Sequence, residues 1–212
     1  MSGAMVVPLF SDLVRGASEQ MGMDTSLLAK VAEKSGNSAV FSLLRVYRIR
    51  SGQVTVGRTY RGSPPSSWGV SSDDCVVRPT GGGAVLHGED VCFSLLLSVR
   101  PRMALVDLYE MLHLFLGRFV SNLGLETSLQ GKHEESIDGR GTCFLEPVCG
   151  DLMAGPQKIL GGAMKVGRQC FLYQGSLLVD GVSPGVVQDR FVSWYIGGNV
   201  LVFRNGVLLA AG

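Results

Sequence analysis

Apolar and polar positions along the chain follow two periods, and the points where one gives way to the other delimit its elements. From Phe10 to Lys34 apolar residues recur at helical spacing, with Met23, Leu27, Leu28 and Val31 on one face and Asp24-Thr25 near the start of a turn. The pattern predicts an N-terminal helix ended by Ser35-Gly36-Asn37. Val40 to Ile49 reads as a strand, Gly52 as a turn and Val54-Thr55-Val56 as a second strand, the two joined as a hairpin. Arg61 to Ser72 is rich in Ser, Gly and Pro and reads as a loop able to act as a lid. Cys75 to Val77 and Ala84 to His87 are short strands about a hairpin-like bend, and Val91 to Val99, apolar on both faces, reads as a buried strand.

The strongest helical stripe runs from Leu105 to Leu123, with apolar residues at 105, 108, 112, 115, 116 and 119 and a stop at Gly124. Gln130 to Gly141 is polar and reads as a surface loop in which His133 is solvated. Leu152 to Met164 predicts two strands about Gly155-Pro156, and Phe171 to Val179 another strand. Val186 to Tyr195 reads as a turn or helical piece. Asn199 to Phe203 and Val207 to Ala210 flank Asn205-Gly206, a hairpin signal.

Composition narrows the classes. The 212 residues suffice for one domain with a sizeable core, and 29 glycines suit a sheet-rich domain with many tight turns. With 19 basic and 18 acidic residues the net charge is +1, so no overall field favours nucleic acid or an anionic membrane. The densest apolar runs fall short of the roughly 20 residues a membrane helix needs, and the first ten residues lack a signal-peptide pattern, which points to a cytoplasmic protein. Five cysteines without a CxxC pair and three histidines predict neither a disulfide framework nor a metal site.

Chemistry concentrates in Arg78-Pro79-Thr80-Gly81-Gly82-Gly83-Ala84-Val85-Leu86-His87. Three consecutive glycines either make a tight turn or let the backbone come close to another backbone or a ligand, with Arg78 and Thr80 able to meet a polar head group. Two further stretches share the motif's order: Thr142 to Leu152, containing Cys143-Phe144, Pro147 and Asp151, and Gln157 to Ala163, containing Lys158. A cysteine here is either a nucleophile or a buried thiol. The lysine is either an exposed cation after a Gly-Pro turn or a carbonyl-polarising group.

Taken together these stretches resemble the lipoate-protein ligase and octanoyltransferase superfamily, the branch related to biotin protein ligases. Its R-x-[ST]-G-G-G-A-V-x-H segment matches Arg78 to His87. Its [DE]-L-x(5)-K-[IV]-x-G-x-A segment matches Asp151-Leu152, Lys158-Ile159, Gly161 and Ala163, and a later segment matches Tyr173-Gln174-Gly175-Ser176. Asp24 with Leu27-Leu28, Arg45-Val46-Tyr47 and Val54-Thr55-Val56-Gly57 are weaker echoes. The resemblance implies an α+β fold with a mixed, largely antiparallel sheet flanked by helices, filling residues 1–212 without a C-terminal accessory domain. It implies transfer of an octanoyl or lipoyl group to a lysine of lipoyl domains of 2-oxoacid dehydrogenases or of the glycine cleavage H protein.

Two mechanisms share that scaffold. In one, Cys143 takes the acyl group from acyl carrier protein as a thioester without a cofactor, as the C-F-x-x-P-x-x-x-[DE] match implies. In the other, lipoate is activated with ATP and Mg²⁺, which the full Gly81-Gly82-Gly83 favours. Only 28 residues follow Pro184, so an ATP route would call for a separate accessory subunit. By resemblance Lys158 polarises the acyl carbonyl, and Arg78, Thr80, Gly81, Gly82, Gly83, Ala84, His87, Asp151, Gly161 and Ala163 line the substrate site. Val77 and His87-Gly88-Glu89-Asp90 depart from the family pattern and leave open a non-catalytic acyl-binding subunit. Neither nucleic acid nor membrane is expected as a partner.

Overall fold

The computed structural model describes residues 4–5, 7–33, 41–131, 144, 146–204 and 207–211. In chain order it comprises β1 (Ala4–Met5), β2 (Val7–Arg15), α1 (Ala17–Glu33), β3 (Ser42–Ile49), β4 (Val54–Val56), β5 (Val76–Val77), β6 (Ala84–Leu86) and β7 (Asp90–Leu97). There follow α2 (Leu105–Ser121), β8 (Ser128–Leu129), β9 (Leu152–Ala154), β10 (Gln157–Val166), β11 (Phe171–Leu178), α3 (Pro184–Ile196), β12 (Val200–Arg204) and β13 (Val207–Ala211).

The main sheet has seven strands in the order β2-β3-β7-β11-β10-β9-β8. Only β2 and β3 run parallel; the other neighbours are antiparallel, so the expected mixed, largely antiparallel α+β architecture is found. β7 is buried at every position. Phe93, Leu95 and Leu97 point to the main core with Leu108, Phe115 and Phe119 of α2 and Phe191 of α3. Cys92 and Leu96 point to the opposite face, covered by α1 through Met21, Leu28 and Val31. Each large apolar side chain so buried contributes about 1.5–3 kcal/mol. α3 begins where Ser183 accepts the Val186 N–H with Pro184 in the first turn. Among the described residues no helix is long and apolar enough to cross a membrane.

Several boundaries differ from the sequence pattern, each because a distant partner overrides local spacing. Phe10 to Arg15 belongs to strand β2 paired with β3, and the helix starts only at Ala17. Its buried stripe is Ala17, Gln20, Met21, Asp24, Leu28 and Val31, rotated from the apolar face because two polar residues are drawn inside. The hairpin expected between β3 and β4 does not form: β4 leaves for a second, three-stranded sheet of order β5-β4-β6. The glycine run is likewise no hairpin bend, since β5 and β6 flank β4 on opposite sides. The segment before it is a loop with a short 3₁₀ turn at Ser66–Trp68, and Tyr60, Trp68 and Val70 pack on Val54, Val56 and Ala84. The polar loop with His133 lies outside the described residues.

Two glycines have opposite reasons to be there. The backbone of Gly81 and Gly82 crosses directly over Gly57, where a Cβ would collide with their carbonyls, whereas Gly22 on α1 has open space around it. Gly57→Ala is therefore expected to destabilise the protein by about 1–3 kcal/mol, while Gly22→Ala raises stability by about 0.5–1 kcal/mol. Chemical denaturation of the two variants checks the opposite signs.

Candidate active site

The site grows from two cross-strand rows on the α1 face of the main sheet. Strand register aligns Arg45, Ser94, Gln174 and Ala163 in one row, and Tyr47, Cys92, Ser176 and Gly161 in the next. The second row shrinks steadily toward β10, both rows end there in a small residue, and above these residues lies a cleft of about 40 Å³ that opens outward. Met21, Ile49 and Val85 give it an apolar wall. The glycine run roofs it: Gly82, with φ +90°, comes within 3.7 Å of Ala163 when a Cβ is placed on it.

The roof is sewn in place by hydrogen bonds. Arg78 N–H donates to the Val56 carbonyl and Arg58 N–H to the Thr80 carbonyl, both at 2.8 Å. The Arg78 guanidinium donates to Thr55 O and Oγ1 at 3.0 and 2.9 Å, and to the Gly81 and Gly83 carbonyls at 3.0 and 2.8 Å. It shapes the loop from inside. Thr80, almost wholly buried, donates to Gln174 Oε1 at 2.7 Å. The Gln174 amide then donates to Asp24 Oδ2 at 2.6 Å, where Ser94 and Tyr47 hydroxyls also converge at 2.5 and 3.1 Å. Arg45 forms an ion pair with the other oxygen of Asp24.

Deeper in the cleft His87 Nε2 meets Thr55 Oγ1 at 2.8 Å and Nδ1 meets Asp90 Oδ2 at 2.8 Å. Ser176 donates to the same Asp90 oxygen, and Gly88 N–H to the other at 3.1 Å. Burial pushes the Asp90 carboxyl up, but the His87 charge and the hydrogen bonds from His87, Ser176 and Gly88 outweigh it and hold it at about 2. Burial, and next the Asp90 charge, push the Cys92 thiol well above its usual range. Cys92 and Asp90 approach the same ring nitrogen of His87, so this trio cannot relay a proton as a nucleophile, base and orienting acid would.

Lys158 is buried and lies beside the cleft rather than in its lining. Its ammonium stands 2.7 Å from Asp151 Oδ2, which also accepts the Val148 N–H at 2.7 Å. The Tyr109 hydroxyl of α2 gives its single proton to Asp151 Oδ1 at 2.6 Å and accepts the Gly162 N–H at 3.0 Å. Gly162 borders the cleft, so Lys158, Asp151, Tyr109 and Gly162 form one continuous path to its wall. A buried ammonium with three donors can hold a carbonyl oxygen and stabilise charge developing on it.

The structure thus gathers Arg78, Gly82, His87, Gly161 and Ala163 on one cleft, holds Thr80 and the remaining glycines in its roof, and sets Lys158 with Asp151 at its side. Cys143 lies outside the described residues. Three positions on, Glu146 is within electrostatic reach of Tyr60: burial first, then Cys75 and Glu146, push that hydroxyl up. Asp24, Thr55, Asp90, Cys92, Tyr109 and Ser176 were not among the candidate site residues. For those on strands the legible signal is period-two polarity in an otherwise apolar run, as in Asp90, Cys92 and Ser94 or Gln174 and Ser176.

The site thus combines a glycine roof over a mixed sheet, a buried lysine on β10 and a tyrosine of α2 that links the lysine's carboxylate partner to the cleft wall. The lipoyl protein ligase A/B catalytic domain model matches residues 17–189, and the chain belongs to that family. Octanoyltransferase LipM of Brevibacillus brevis is 30% identical over 114 residues, 50% of this chain and 41% of that one. The chain therefore matches less than half the length of that relative. Among solved structures, a Thermoplasma acidophilum protein assigned as a lipoate protein ligase superposes with TM-score 0.68 at 18% identity, covering 92% of this chain and 85% of its own. Lipoate-protein ligase A bound with ATP superposes with TM-score 0.60 at 19% identity, covering 89% and 75%. These likenesses show the fold.

His113 of α2 is fully buried beside this site, with Nε2 2.9 Å from the Tyr173 hydroxyl. Burial lowers its pKa most, and the Lys158 charge lowers it further against a backbone contact from Gly150, to about 3 from 6.5. The folded state keeps this ring neutral where the unfolded chain protonates it. Its contribution is therefore complete above about pH 6.5 and lost progressively as pH falls toward 3. Denaturation at stepped pH is expected to show stability falling through that window, with a shallower fall in His113→Gln.

Proposed function

We propose that this chain transfers an octanoyl or lipoyl group to the acceptor lysine of a lipoyl domain, through a thioester on Cys143. The observation that carries this reading is the buried Lys158–Asp151 pair joined through Tyr109 to the wall of a glycine-roofed cleft, in a chain of the lipoyl protein ligase A/B family. The Cys143 thiolate attacks the thioester carbonyl of acyl carrier protein; a C–S bond forms as the carrier thiolate leaves. The acceptor amine then attacks the acyl-Cys143 carbonyl, a C–N bond forms, and the Cys143 thiolate is released as the amine sheds its proton to solvent. Lys158 holds the carbonyl oxygen in both tetrahedral states, positioned by Asp151 and Tyr109. The cleft holds the acyl chain, and Arg78, Thr80, Ala84 and His87 act by fixing the roof and walls around it.

The step needs no cofactor. An ATP-dependent ligase is the second reading, favoured by the unbroken Gly81-Gly82-Gly83. The carboxylates around the cleft fit a resident Mg²⁺ poorly. Asp24 is taken by Arg45, Ser94 and Gln174 and Asp151 by Lys158 and Tyr109, while Asp90 stands beside an imidazole and a thiol, donors that Mg²⁺ does not favour.

The test is incubation with octanoyl-acyl carrier protein without ATP, followed by intact mass and by addition of a lipoyl domain. The expected result is a hydroxylamine-sensitive octanoyl adduct absent from Cys143→Ala, and acyl transfer slowed by about 10²–10³-fold in Lys158→Ala. No adduct, with acceptor modification that requires lipoate and ATP, would establish the ligase instead. Acyl binding that survives both substitutions with no modified acceptor would establish a binding subunit.

A further inference from the structure

We propose that His87, Asp90 and Cys92 form a binding site for a thiophilic divalent cation, Zn²⁺ or its spectroscopic substitute Co²⁺, on the wall of the cleft. All three side chains are buried, and their potential ligand atoms lie together. His87 Nδ1 and Asp90 Oδ2 are 2.8 Å apart, Cys92 Sγ and Asp90 Oδ2 3.4 Å, and Cys92 Sγ and His87 Nδ1 3.7 Å. A point equidistant from three atoms so placed lies about 1.9 Å from each, and a shift of about 0.5–1.2 Å out of their plane gives the roughly 2.0–2.3 Å bonds of zinc to nitrogen, oxygen and sulfur.

The surroundings are arranged as a metal's outer partners are. His87 turns its second nitrogen to Thr55 Oγ1, fixing the ring plane, and Asp90 is held by Gly88 N–H and the Ser176 hydroxyl. His87, Cys92 and Ser176 face the cleft, so a fourth, open position points into it for water or a donor atom of a bound molecule. Binding releases the Cys92 thiol proton to solvent and frees His87 Nδ1, whose proton leaves from an imidazolium or passes to Nε2 on the Thr55 side in a neutral ring. A carboxylate, a thiolate and a neutral imidazole then carry two negative charges, which a divalent ion neutralises in a buried place. The mixed sulfur and nitrogen donors exclude Mg²⁺ and Ca²⁺, which take oxygen. The Arg78 guanidinium is turned to Thr55 and the loop carbonyls.

The site is independent of Cys143, and its test does not read acyl transfer. Co²⁺ titrated into the reduced full chain is expected to give a thiolate-to-cobalt charge-transfer band saturating at one equivalent, with X-ray absorption of the Zn²⁺ form showing one sulfur among nitrogen and oxygen ligands. Cys92→Ala should abolish the band and His87→Gln weaken affinity at least about tenfold, while Cys143→Ala and Cys149→Ser retain both. Absence of the band at equimolar metal, a band that survives Cys92→Ala or is lost in Cys143→Ala, or a shell without sulfur in the wild-type chain overturns the proposal. The absorption measurement decides the matter even where a variant fails to fold.

Discussion

The carboxylate of Asp24 is the point on which the site half of the molecule depends. It is fully buried, and a buried charge is tolerable only when its lone pairs are filled. Arg45 fills one oxygen, and Ser94, Gln174 and Tyr47 fill the other. These donors come from β3, β7 and β11, so one helical residue fixes the rotation of α1 against three strands. Removing a single partner would leave the charge uncompensated at a cost of about 3–5 kcal/mol. The constraint reaches further, because Gln174 spends its carbonyl on Thr80. The position of the glycine roof is thus set from the helix packed on the far end of the row.

This explains which parts of the fold were legible beforehand. Elements that carry a full apolar set on the main-core side, such as β7, α2 and β11, fall where periodicity places them. α1 does not, because its buried stripe includes Gln20 and Asp24, and counting apolar residues alone turns the helix toward Met23 and Leu27. The hairpins expected at Gly52 and at the glycine run fail for a related reason. Turn residues announce a reversal but not the partner, and β4 finds β5 and β6 rather than β3. Lys158 and Asp151 stood out only through the resemblance of their segment to a family motif, since by composition alone Lys158 reads as an exposed lysine after a turn. Tyr109 did not stand out, since in an apolar helical stripe it reads as one more core aromatic, and only its hydroxyl's position reveals its part.

The cleft itself results from a gradient in side-chain size. On the α1 face the rows end at Gly161 and Ala163, leaving space beneath the roof. On the opposite face the same strands are full: the Tyr173 ring lies across Gly162 and Gly175, where a Cβ on either would strike it. The glycines of β10 and β11 therefore serve two purposes on two faces. Gly161 keeps the cleft open, while Gly162 and Gly175 admit the ring that closes the core. A strand with ordinary side chains at these positions would lose both.

The lysine and the cleft belong to different sides of the sheet, and the way they meet explains why Tyr109 matters. β9 pairs with β10 only as far as Leu160. Beyond that point the edge of β10 has no strand beside it among the described residues, and the Gly162 amide turns to the Tyr109 hydroxyl. An unpaired amide at a buried edge is costly, and Tyr109 satisfies it while using its own proton to hold Asp151. The edge left uncovered by β9 is where Tyr109 joins the Lys158–Asp151 pair to the cleft wall at Gly162. Extending β9 by two residues would hand the Gly162 amide to a strand carbonyl and cut Tyr109 out of that chain, so the interrupted pairing matters to the arrangement as much as the lysine.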